Sequence, residues 1–213
     1  MAKQKKKKLL FITLILTCAY ISYFITVVNI TYRNNILIPL HEVNIANILC
    51  KFFSDILTLY LPVLIFFLFL KKVRLYERLN KLSVILLLIY IFLFMFIRDL
   101  SIRGSYIFFF YFGVGFSEEM IFRQYLYNSL KVSVKPIIAA IVSSGIWGVM
   151  HGILPSIINQ HEAWNIIFFL KNGIIGILVG LIYIYIMKKT KSIWNCIFVH
   201  AIINYLGYIV NMF

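Results

Sequence analysis

Seven stretches of this chain stay apolar for long enough to cross a bilayer, each close to the roughly 20 residues that carry a helix through the hydrocarbon. They run at about 9–31, 48–70, 82–97, 106–127, 136–154, 164–187 and 193–211. The runs are continuously apolar rather than alternating, and a helix satisfies its own backbone hydrogen bonds in lipid, so helices are favoured over a barrel. The predicted fold class is therefore all-α, a polytopic transmembrane helical bundle of about seven spans. Nothing is left over for a soluble domain. No repeat, low-complexity tract or Pro/Gly-rich linker divides the chain, so residues 1–213 read as a single integral-membrane domain. The third run is short and is expected to use Arg98 and its neighbours as interfacial anchors.

The placement of the cations sets the orientation. The formal net charge is +14, with 21 Lys and Arg against seven Asp and Glu. Fifteen of the 21 fall in alternate segments: Lys3 and Lys5 to Lys8; Lys71, Lys72, Arg74, Arg78 and Lys81; Lys131 and Lys135; and Lys188, Lys189 and Lys191. The opposite segments hold only Arg33, Arg98 and Arg103. By the positive-inside rule the N-terminus is cytoplasmic, and seven spans put the C-terminus outside. The partner these charges imply is the lipid bilayer with its anionic headgroups, and no nucleic acid is needed to explain them. The opening MAKQKKKK followed by a long apolar run without an A-x-A site reads as an uncleaved signal anchor. Cys18, Cys50 and Cys196 form no C-x-x-C pair and are expected to be small buried hydrophobes.

Ionisable side chains inside spans cost several kcal/mol and normally face the bundle interior as a pair or a site. Lys51 and Asp55, four apart in span two, are expected to pair with each other. Lys171 in span six is expected to snorkel. His41, His161 and Glu162 fall in exterior loops, where solvation is the default reading. Span four differs. Glu119 and Arg123 are four apart and can neutralise each other, whereas Glu118 points about 100° away around the helix and is left without a local partner. Such a carboxylate suits a general base.

Two further spans contribute polar faces: Trp147 and His151 in span five, His200 and Asn204 in span seven, each pair at a spacing of four. Small residues, Ser143, Ser144, Gly145, Gly148 and Gly152 in span five and Gly173, Gly176 and Gly180 in span six, allow the backbones to approach closely. Pro155 is expected to end span five.

Hydrolysing an amide needs a base to activate water, donors for the oxyanion and an acid for the leaving amine. Glu118 suits the base and then the acid, His151 can hold the water, and His200 with Asn204 can supply oxyanion donors. Ser117 has no base beside it to make it a nucleophile. Two histidines and a glutamate would also make a zinc set, but H-E-x-x-H is absent, so a mechanism without a metal or other cofactor is favoured.

Three motifs now stand in order on three spans: EEMIFR from Glu118 to Arg123, WGVMH from Trp147 to His151, and HAIIN from His200 to Asn204. With them the chain resembles the CPBP family of intramembrane proteases, also called the CAAX protease and bacteriocin-processing or Abi family. The family's corresponding patterns are E-E-x-x-x-R, F-x-x-x-H and H-x-x-x-N, with Trp147 replacing phenylalanine as the one departure. The resemblance covers about residues 105–207, while residues 1–104 match only as generic helices. It implies that Glu118 with His151 activates water, that His200 and Asn204 form the oxyanion site, and that Glu119 with Arg123 supports them. It implies a membrane-associated peptide or protein as substrate. Richness in Ile, Lys and Asn suggests a multi-pass protein of a bacterial plasma membrane, which makes a CAAX substrate the less expected one. Two non-proteolytic readings stand beside this. One is a bacteriocin-immunity or scaffold protein that uses the polar network as glue. The other is a proton-coupled transporter, against which no inverted repeat is seen. Oligomeric state is not legible.

Overall fold

The computed structural model describes residues 2–33, 43–70, 78–97, 99–158 and 166–210. His41, His161, Glu162 and Arg98 therefore lie outside the described residues. Among those described, the chain is helical apart from short connections, with no strand. Helix α1 is Ala2–Arg33; α2 begins as Ile48–Asp55, passes through a π-helical stretch Ile56–Tyr60 and resumes over Leu61–Leu70; α3 is Lys81–Ile97. Helix α4 begins as Ile102–Glu119, widens into a π-helical stretch Met120–Tyr127 and closes as Asn128–Ser133; α5 is Pro136–Ile158, α6 Ile166–Thr190 and α7 Ile193–Val210. Each of the seven sequence runs corresponds to one of these helices.

The bundle is apolar on the outside and polar within. Leu49, Phe96, Phe109 and Val210 are among the large apolar side chains left exposed, while Glu119, Arg123, Asn128, Ser143 and Asn195 are fully buried. A soluble protein would invert this arrangement; a protein whose solvent is lipid does not. Four helical stretches, Lys6–Val27, Ile48–Leu70, Phe169–Thr190 and Ile193–Val210, are long and apolar enough to cross a membrane, and Lys81–Ile97 and Pro136–Gly152 are shorter apolar helices. The remaining helix, α4, is the one that carries Glu118, Glu119 and Arg123.

Lys71, Lys72 and Arg74 lie outside the described residues, and the described parts of the lysine-rich segments share one end. Ser133 donates to the Lys6 carbonyl (3.1 Å), joining the start of α1 to the end of α4. Asn80 donates through Nδ2 to the Thr190 carbonyl (3.1 Å), and Ser83 donates to Asn195 Oδ1 (2.7 Å), tying the start of α3 to the turn between α6 and α7. This is the end that the positive-inside rule predicts to be cytoplasmic.

Three expectations need correction. Cys196 is buried, but Cys18 and Cys50 are exposed on the outer face, since lipid does not penalise an apolar thiol there. Helix α5 runs past Pro155 to Ile158, because a proline in the last turn forfeits only one backbone bond. Glu118 is not unpartnered either, as the site shows.

Glycines set the tightest helix contact, between α5 and α6. A Cβ on Gly148 would lie 2.5 Å from the Gly173 carbonyl oxygen, and one on Gly176 would lie 2.7 Å from the Gly148 Cα. Only glycine permits this approach.

Candidate active site

The fourth helix changes its winding where its charges sit. From Met120 to Tyr127 the turns are π-helical, a feature often found at functional sites because it widens the helix and frees backbone carbonyls. One carbonyl in this stretch is bound from outside: Ser143 of α5 donates to the Phe122 oxygen at 2.6 Å. Gly115, just before the charges, lets α7 come close, since a Cβ there would lie 2.9 Å from the Ile197 carbonyl oxygen.

Glu119 and Arg123 are both fully buried, and Arg123 Nε lies 3.2 Å from Glu119 Oε2. Around the guanidinium the protein places aromatic faces, with its centre 4.2 Å from the Trp147 ring and 5.3 Å from the Tyr183 ring. Gly180 on α6 leaves the room, because a Cβ there would stand 3.2 Å from Arg123 Nη2. The pair read from the sequence is present, but it is shared: His200 Nδ1 lies 2.9 Å from Glu119 Oε1.

Glu118 points elsewhere, as its position around the helix requires. Its partners come from α5 and α7. The Trp147 indole donates through Nε1 to Glu118 Oε2 at 2.6 Å. His151 Nε2 lies 3.6 Å and His200 Nε2 4.0 Å from the same oxygen. The far edges of both imidazoles are anchored, His151 Nδ1 at 3.0 Å from the Trp147 carbonyl oxygen and His200 Nδ1 on Glu119. A carbonyl only accepts, so His151 carries its proton on Nδ1, and a neutral ring then turns a lone pair toward Glu118. Tyr183 stacks on His200, with ring centroids 5.3 Å apart and planes 24° from parallel.

The structure thus brings together five of the six residues singled out by the sequence: Glu118, Glu119, Arg123, His151 and His200. Asn204 is half-buried one turn further along α7 and makes no hydrogen bond to a described residue. Sequence reasoning missed Tyr183 and Ser143. A tyrosine among apolar neighbours and a serine in a small-residue run carry no signal of their own, and only helix packing turns them toward α4.

A cavity of about 310 Å³ opens beside this cluster, and its lining includes Glu118, His151, Ser117, Tyr20, Lys51 and Asp55. Lys51 and Asp55 form the expected pair, and Tyr106 donates its hydroxyl to the second Asp55 oxygen. Lys171 is exposed.

Residues 83–206, more than half the chain, match the model of the Rce1-like family, described as type II CAAX prenyl endopeptidase Rce1-like. The chain belongs to this family. All three motifs and Tyr183 fall inside the match, while α1, α2 and the wall they give the cavity precede it. Membership implies a membrane-embedded protease with a membrane-associated protein substrate. No curated protein and no solved structure matches the chain.

Proposed function

We propose that the chain is an intramembrane endopeptidase in which Glu118 activates a water molecule for attack on a peptide bond, without a metal. The observation that carries this reading is the convergence of Trp147 Nε1, His151 Nε2 and His200 Nε2 on one oxygen of Glu118. A water held between the carboxylate and His151 Nε2 can give its proton to Glu118 as it attacks. Glu118 then delivers that proton to the departing amine.

His200 donates Nδ1–H to Glu119, which orients the ring and turns Nε2 toward Glu118; an Nε2 that also carries a proton is a donor for the oxyanion, with the Asn204 amide one turn away as the second donor. Glu119 and Arg123 act through His200 rather than on the substrate.

The substrate is a membrane-associated peptide or protein, and the chain's richness in Ile, Lys and Asn supports a bacterial plasma membrane as its setting. The test is cleavage of candidate membrane peptides by purified wild type and His200→Ala, with and without EDTA or o-phenanthroline. Loss in His200→Ala with no effect of chelator is expected. Loss on chelation that zinc restores would overturn the metal-free mechanism. Bacteriocin immunity retained without any cleavage would favour a scaffold.

A further inference from the structure

We infer that Trp147 is a positioning residue for Glu118, fixing Oε2 with its indole N–H and so leaving Oε1 as the oxygen that takes the proton from water. The inference rests on the reading of Glu118 as the base.

A carboxylate on a flexible two-carbon stem has two equivalent oxygens and several rotamers, and a base works best when one lone pair is aimed and held. At Glu118 the equivalence is broken. Oε2 accepts the short 2.6 Å bond from Trp147 Nε1 and is the oxygen nearest both imidazoles. Oε1 makes no hydrogen bond to a described residue, and the Glu118 side chain, 19% exposed, lines the cavity where a substrate and water can enter. The anchored oxygen thus faces the protein and the other is left for chemistry.

The anchor is itself rigid. Trp147 is buried and packs against three groups of the site: the Arg123 guanidinium at 4.2 Å, the His151 ring with centroids 4.1 Å apart, and the His200 ring, edge-on at 5.8 Å. A phenylalanine at this position would keep an aromatic face toward Arg123 and the histidines but has no N–H for Glu118. The indole therefore adds one thing that packing alone does not require, a charge-assisted hydrogen bond to the reacting carboxylate.

Two variants separate this role from a packing role. Trp147→Phe removes the donor and part of the ring, and the benzothienyl isostere of tryptophan, introduced at position 147 through an expanded code, removes the donor while keeping the ring's shape. For both, kcat on a cleaved reporter peptide should fall about tenfold to a hundredfold with KM unchanged, the scale of losing one hydrogen bond to a charged group. If Trp147→Phe fails to accumulate, the isostere decides. A readout independent of activity uses indole-¹⁵N-labelled protein, which carries three tryptophans. One indole proton should be strongly downfield in wild type and return toward the others in Glu118→Ala, which removes the acceptor. An isostere with wild-type kcat would overturn the inference, as would an indole signal that Glu118→Ala does not move. If instead Glu118→Gln itself cleaves at the wild-type rate, the reading of Glu118 as base fails first, and the positioning role falls with it.

Discussion

His200 Nδ1 lies 2.9 Å from Glu119 Oε1, while Arg123 Nε lies 3.2 Å from the other oxygen of the same carboxylate. One buried carboxylate thus holds a histidine from α7 and an arginine from its own helix. Glu119→Gln takes from the buried Arg123 cation its nearest counter-charge, a change that costs about 3–5 kcal/mol. Arg123→Met leaves the Glu119 carboxylate with only its His200 contact, at a similar cost. The double variant removes both charges, so it is expected to be clearly more stable than the sum of the two losses predicts. Thermal unfolding in detergent of all four proteins measures this, and strict additivity would contradict the pairing.

Close approach of α5 and α6 predicts two glycines with opposite behaviour. Gly148→Ala drives a methyl into the Gly173 carbonyl, and should lower stability by about 1–3 kcal/mol, the usual cost of overpacking. Gly145→Ala has open space among the described residues and should be neutral or slightly stabilising, through helix propensity. The same unfolding assay distinguishes them, and equal losses at both sites would contradict the packing.

Orientation follows from the shared lysine-rich end. Leu79 is exposed at that end and Leu100 at the opposite one. In a background with Cys18, Cys50 and Cys196 replaced by alanine, Leu100→Cys should react with a membrane-impermeant thiol reagent applied to intact cells. Leu79→Cys should react only after permeabilisation. The reverse pattern would invert the bundle.

Much of this fold was legible because lipid imposes a simple rule: a spanning segment must be helical and apolar, so seven apolar runs became seven helices. The site was legible for the converse reason. Glu118, Glu119, Arg123, His151 and His200 stand out in apolar helices, and their spacing gave the right faces. What the sequence could not show was pairing between helices. Glu118 is unpartnered along α4, yet Trp147 and the two histidines meet it from α5 and α7. Glu119 and Arg123 read as a closed pair, yet His200 joins them. The π-helical winding from Met120 was also hidden, as was the Ser143 hydroxyl that meets one of its carbonyls from another helix.

That last contact is testable. Ser143 donates to the Phe122 carbonyl at 2.6 Å, and both groups are buried. Ser143→Ala should lose about 1–3 kcal/mol, the cost of stranding a buried acceptor, and should reduce cleavage because the π-helical stretch follows directly on Glu119. Unchanged unfolding and unchanged cleavage together would show that the hydrogen bond holds nothing in place.

The central claim is that the Glu118 carboxylate is the base. Glu118→Gln keeps the shape of the side chain and an oxygen to accept the Trp147 hydrogen bond, but cannot take a proton from water. The most direct measurement is kcat for cleavage of one membrane peptide by wild type and Glu118→Gln, purified to the same unfolding temperature. The account predicts a fall of about 10²–10⁴-fold with little change in KM. Cleavage by Glu118→Gln at the wild-type rate would contradict it.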